Sequence, residues 1–242
     1  MGGNCVKSLL NYEEIEDIGE LAIASYSKKT RRGSFRCVDI EGFLTEALKL
    51  KLVYETIAED NPDKVAFLSD GKQKLWVIRG GKRVQTLFPK DSVVIDSYFL
   101  NEDMSAQLRF NMAHEGAHKL IELHVPARST AYFHSELSAG SEIPVGEMHE
   151  MFSMMELYAN RLAAVLLMPR SLVTRILQEF NNGKPIRVYS TSILPQSDKL
   201  VMLRMADTMG VSFTALFNRL KELKLLEYHD GEEYMEQLLE GK

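Results

Sequence analysis

Five residues of this chain are arranged for chemistry: His114-Glu115-Gly116-Ala117-His118, inside the run Arg109-Phe-Asn-Met-Ala-His-Glu-Gly-Ala-His-Lys-Leu120. Histidines at i and i+4 of a helix lie one turn apart on one face, so both imidazoles can reach a single cation. Glu115 stands about 100° around the helix from His114, close enough to take a proton from a water beside that cation without binding the cation itself. Two imidazoles with a neighbouring free carboxylate are equipment for metal-assisted peptide hydrolysis, with zinc the usual ion and the glutamate the general base.

Two histidines leave such a site incomplete, because a catalytic zinc takes three protein ligands and a water. The downstream candidates are His124, His134, His149, Glu150 and Glu156. His124 falls ten residues after His114, the interval of a metzincin's third histidine, but that class needs glycine where Ile121 stands here. Lys119-Leu-Ile-Glu-Leu123 continues the helix instead, which sets His124 about 240° around and roughly 9 Å along from His118. It is rejected as a ligand to the same ion. Glu156 is better placed: it opens Glu156-Leu-Tyr-Ala-Asn160-Arg-Leu-Ala-Ala-Val-Leu-Leu-Met-Pro169, whose apolar run from Leu162 to Met168 implies a deeply packed helix. Glu156 and Asn160 share one helical face, so the carboxylate can ligate while the amide orients a ligand histidine through its outer nitrogen. This is the logic of a gluzincin.

The two stretches Arg-Phe-x-x-Ala-His-Glu-x-x-His and Glu-x-x-Ala-Asn-x-x-Ala-Ala-x-Leu-Leu-Met-Pro resemble the ImmA/IrrE metallopeptidases. The resemblance extends over roughly residues 12–226 in element order and is specific in Arg109–His118 and Glu156–Pro169. It implies zinc on His114, His118 and Glu156, Glu115 as general base, and a partner repressor with a helix-turn-helix domain as substrate, in a mobile element or stress response. The chain departs from the family in carrying Gly116-Ala117 where Leu-Gly is common, and Leu162 where Phe is common.

The elements that must position these residues read as an α+β fold of zincin type: N-terminal helices, a small mixed or antiparallel sheet, the active-site helix and a helical C-terminal half. Apolar spacing predicts a helix over 12–28 and a second, capped by Asp39, to about Leu50. Short β-type runs follow at Leu52–Ile57, Val65–Ser69, Lys74–Ile78, Val84–Phe88 and Val93–Ile95, with the last as a candidate substrate-aligning edge. The active-site helix is expected from about Asn101, and a loop over 125–147 carries Tyr132 and His134 beside the site. Helices are expected at 147–167, 171–180, 198–210 and 212–225, with a loop between Asn181 and Gln196. Residues 1–11 read as a disordered start, 12–169 as the metallopeptidase domain, and 170–242 as a helical region with a helix-turn-helix-like pair at about 200–226. The methionines at 148, 151, 154 and 155 follow helical spacing and read as core filler.

Bulk properties narrow the partners. The 242 residues carry a net charge of −5, and residues 170–242 balance 10 Lys/Arg against 10 Asp/Glu. The helix pair therefore lacks the phosphate attraction on which DNA binding depends, and direct nucleic-acid binding is not expected. Cys5 and Cys37 suggest no disulfide framework, and neither a signal peptide nor a membrane span is evident, so a cytoplasmic setting is expected. The rival readings are a zinc-containing regulator that binds a repressor without cutting it, and a DNA-binding regulator acting through Arg204, Arg219 and Lys221.

Overall fold

Asn11 starts the first helix by a reciprocal cap. Its side chain accepts the Glu14 N–H at 2.9 Å and the Glu14 carboxylate accepts the Asn11 N–H at 2.7 Å, satisfying two amides that a first turn leaves without intrahelical partners. The computed structural model describes residues 10–30, 35–124, 145–190 and 193–232, with side chains from 153 onward in the stretch that begins at 145. The expectations for the chain's first nine residues, Tyr132, His134, the side chains of Met148, His149, Glu150 and Met151, and the last ten residues lie outside the described residues. The chain divides into two compact units, Met1–Gly33 with Asp39–Leu166, and Ser34–Val38 with Leu167–Lys242.

In the first unit, α1 (Tyr12–Lys29) buries Ile15, Gly19, Ile23 and Tyr26. A Cβ on Gly19 would overlap Val165, so the glycine admits close approach to the later helix α4 (Val145–Leu167). Asp39 caps the second helix, accepting the Gly42 N–H at 3.0 Å. This helix is shorter than its periodicity suggests: Ile40–Gly42 is α-helical, and Phe43–Ala47 widens into a π turn. The chain leaves through Lys49 at φ 60°, and the Leu50 N–H closes on the Leu44 carbonyl at 3.0 Å. Both leucines thereby reach the core.

Strands β1 (Lys51–Ile57), β2 (Ala66–Leu68), β3 (Lys74–Arg79), β4 (Lys82–Leu87) and β5 (Ser92–Asp96) form one sheet in the order β2-β5-β1-β3-β4. β1 and β5 run parallel and the other pairs antiparallel, so the sheet is mixed. Gly80 and Gly81, at φ 57° and 73°, form the β3–β4 turn, whose two central residues both need positive φ to match the strand twist. The expectation that Val93–Ile95 is an edge is overturned, because β5 lies between β2 and β1. Its three consecutive β-branched residues are buried on both faces, the pattern of an interior strand. The edges are β2 and β4. Two tight 3₁₀ turns, Ser97–Leu100 and Glu102–Met104, then delay the histidine-bearing helix α3 to Ser105–His124.

The second unit contains α5 (Arg170–Asn181), β6 (Ile186–Tyr189), α6 (Gln196–Met209), α7 (Phe213–Glu222) and β7 (Leu226–His229). β6 and β7 pair in parallel, Ile186 opposite Leu226, where a loop and part of a helical region were expected. Four-residue strands are too short to show a period, and each finds its partner only after the α6–α7 crossover. Gly210 ends α6 at φ 64°, Ser212 caps α7 by accepting the Ala215 N–H at 3.1 Å, and the helices bend by 103°, within the range of helix-turn-helix pairs. Among the described residues no single helix is long and apolar enough to cross a membrane.

Asp198 is a buried carboxylate of this unit. It accepts the Arg187 backbone N–H at 2.9 Å, the Arg187 guanidinium at 2.7 Å and the Ser197 hydroxyl at 2.9 Å. Burial pushes its pKa up, but these donors outweigh burial and hold it below the ordinary 3.8. A carboxyl lowered by folding contributes in full above its unfolded value, and the contribution is lost as pH falls through the folded one. Asp198→Ala should therefore cost about 1–3 kcal/mol near neutrality, and its deficit should shrink below pH 3.8. Denaturant unfolding at several pH values measures this, and a deficit independent of pH would contradict it.

Candidate metal centre

The register of α3 brings His114 and His118 onto one face, and α4 supplies the opposing residues. His114 Nε2 and His118 Nε2 lie 3.0 Å apart, Glu156 Oε2 lies 3.3 Å from His114 Nε2, and Glu156 Oε1 lies 3.4 Å from His118 Nε2. These three residues form a group that could hold a metal ion. Bonds of about 2.0–2.1 Å to a tetrahedral ion imply donor separations of roughly 3.3 Å, close to all three observed values, so the donor set fits such an ion in both chemistry and spacing.

Asn160 decides which nitrogen of His114 faces the group. Its Oδ1 lies 3.1 Å from His114 Nδ1, and an amide oxygen can only accept. Nδ1 therefore carries a proton, and Nε2 faces His118 and Glu156, where it would ligate a cation and, with none bound, donates a proton to the carboxylate. His114 also lies beside the Phe110 ring, with centroids 6.4 Å apart.

The electrostatics follow from this crowding. Hydrogen bonds from His114 and then His118 hold the Glu156 carboxyl far below the usual carboxylate range, against the effect of burial. Burial pulls the His114 pKa down, but the hydrogen bond to Glu156 and the charges of Glu115 and Glu156 more than reverse it. Glu115 is buried, 6% exposed, and stands outside the three-donor group. Burial raises its pKa, opposed by His118, His114 and a hydrogen bond from the Leu68 backbone N–H. A carboxylate so placed can receive a proton more readily than one in water.

Three further contacts locate α3. Lys119 Nζ donates to Asp91 Oδ1 at 2.8 Å and Glu122 Oε2 at 3.0 Å, tying the helix to the turn before β5. A Cβ on Gly116 would overlap the Leu44 side chain, so the glycine lets the helix settle on the π turn. The Leu68 N–H ties Glu115 to edge strand β2.

The structure thus brings together His114, His118, Glu156 and Asn160, with Glu115 beside them. His124 turns onto its own helix, its Nδ1 2.7 Å from the Leu120 carbonyl. Neither Arg161 nor Lys119 neutralises Glu156: Arg161 lies over the Tyr12 ring at 4.6 Å, and Lys119 is engaged as described. Sequence reasoning missed Leu68, which acts through its backbone and leaves no side-chain signal, and Asp91, whose partner follows His118 directly but is distant from it in the chain. No protein-family model matches the chain, and no curated protein matches it.

Calorimetric titration with zinc should give one equivalent for the wild type and none of comparable affinity for Glu156→Ala. Asn160→Ala should keep the stoichiometry and lose about 10–100-fold in affinity. A full, equally tight equivalent in Glu156→Ala would remove that residue from the centre. Zinc should also raise the thermal midpoint of the wild type, since an ion bound only by the folded state stabilises it, and a chelator should reverse the shift.

Proposed function

We propose that the chain is a zinc-dependent endopeptidase, with His114, His118 and Glu156 holding the metal and Glu115 serving as general base. The observation that carries this reading is the separation of roles among the acidic groups: Glu156 joins the donor group, whereas buried Glu115 adjoins it and is raised in pKa. Zinc held by His114, His118 and Glu156 would lower the pKa of a water and polarise a carbonyl. Glu115 takes the proton of the attacking water and returns it to the nitrogen of the scissile amide as that bond breaks. Asn160 keeps His114 in the ligating tautomer throughout. β2, the edge that reaches Glu115, is the strand along which an extended substrate would add by backbone hydrogen bonds.

The resemblance to the ImmA/IrrE metallopeptidases supports the same reading and extends it to the substrate, a helix-turn-helix repressor cut in the cytoplasm. The DNA-binding alternative is weakened by Arg219, which is 1% exposed and donates to the Met168 carbonyl at 2.9 Å. A guanidinium enclosed in this way cannot meet a phosphate.

Glu115→Gln should retain the zinc equivalent while proteolysis falls by about 10²–10⁴-fold. Co-expression with candidate repressors followed by fragment mapping provides the assay. Undiminished cleavage by Glu115→Gln would overturn the mechanism, and a stable complex without fragments in the wild type would favour the non-cleaving regulator.

A further inference from the structure

The first unit carries a second surface of distinct character on its β3–β4 hairpin. Lys72, Lys74, Arg79, Lys82, Arg83 and Lys90 fall within nineteen residues that hold no Asp or Glu, in a chain of net charge −5. Arg79 is paired with Glu55, and Arg83 with Asp60 at 2.6 Å. The four lysines are exposed, and their ammonium groups have no acidic partner among the described residues.

The hairpin also ends the sheet at β4, and among the described residues no strand pairs with its outer side. The ladder shows which backbone groups point outward. The Trp76 N–H donates to Glu59 and the Trp76 carbonyl accepts the Ala58 N–H, both on the side away from β4. Trp76 is opposite Gln85, so this is a non-hydrogen-bonded pair, and the N–H and C=O of Arg83, Gln85 and Leu87 face outward. Leu75 and Val77 enter a core cluster with Phe88 and Val94. The alternate residues, Lys74, Trp76 and Ile78 with Arg83, Gln85 and Leu87, lie on the other face. There Ile78 is 38% and Leu87 52% exposed, and the Arg83 guanidinium lies over the Trp76 ring at 4.6 Å.

We propose that the β3–β4 hairpin is a docking surface for an extended acidic segment of a partner protein, added along β4 as a further strand. Outward amides and carbonyls supply the backbone pairing, the unpaired lysines meet carboxylates, and Ile78 and Leu87 receive alternate apolar side chains. Lysines on an edge discourage pairing with another copy of the same strand, and the same charges attract a strand of opposite sign. A nucleic acid fits less well: it offers no amides to an open strand edge, and Arg83 already occupies the ring on which a base would stack. The surface requires no activity at the metal centre.

The test uses the full chain and a fluorescein-labelled hexapeptide alternating glutamate and valine, followed by anisotropy at low salt. Saturable binding is expected, weakened about tenfold or more in Lys74→Glu/Lys82→Glu, lowered by added salt and unchanged in Glu115→Gln. Gln85→Pro should abolish it, because proline removes an outward amide and leaves the β3–β4 ladder intact. The same peptide with alternate backbone amides N-methylated tests this pairing on the unaltered protein and should not bind. Equal binding of the methylated peptide, tighter binding of an oligothymidylate, or no binding of the hexapeptide would each overturn the proposal.

Discussion

Two imidazole nitrogens 3.0 Å apart, with a carboxylate within 3.4 Å of both, are the constraint around which the first unit is organised. Two neutral lone pairs cannot rest that close without a proton or a cation between them. The arrangement therefore calls for positive charge, and most features near it hold the donors in place. Asn160 fixes the tautomer of His114, Lys119 and Asp91 tie the helix to the sheet, and Gly116 removes the side chain that would push α3 away from Leu44.

The sheet contributes more than support. Its order places short β2 at the edge beside α3, where the Leu68 N–H reaches Glu115. One backbone amide thus orients the carboxylate, while burial keeps its proton affinity above that of a solvated glutamate. At the opposite edge, β4 carries the basic hairpin. The two ends of one sheet consequently differ in character, one bound up with a candidate reaction centre and the other open and positively charged.

In the second unit the helix pair has the bend of a helix-turn-helix, yet its central arginine faces inward. Arg219 satisfies the Met168 carbonyl and lies 3.5 Å from Glu222, a use of guanidinium that stabilises packing and withdraws the charge from any partner. The angle between two helices describes a shape, and which side chains that shape exposes determines what it can bind.

Near neighbours in the chain are enough to set the helical spacing of His114 and His118, the shared face of Glu156 and Asn160, the exclusion of His124 and the helix cap at Asp39. These are set by a few residues and the fixed geometry of a turn or strand. Tertiary structure alone decided which strand became the edge, that Ile186 would pair with Leu226, that Asp91 would hold Lys119, and that Arg219 would be enclosed. Each joins residues far apart in the chain, and no local period encodes such a meeting. The three-donor centre combines both: each half of it was legible on its own helix, but the few ångströms between His114 and Glu156 exist only because α3 and α4 pack face to face.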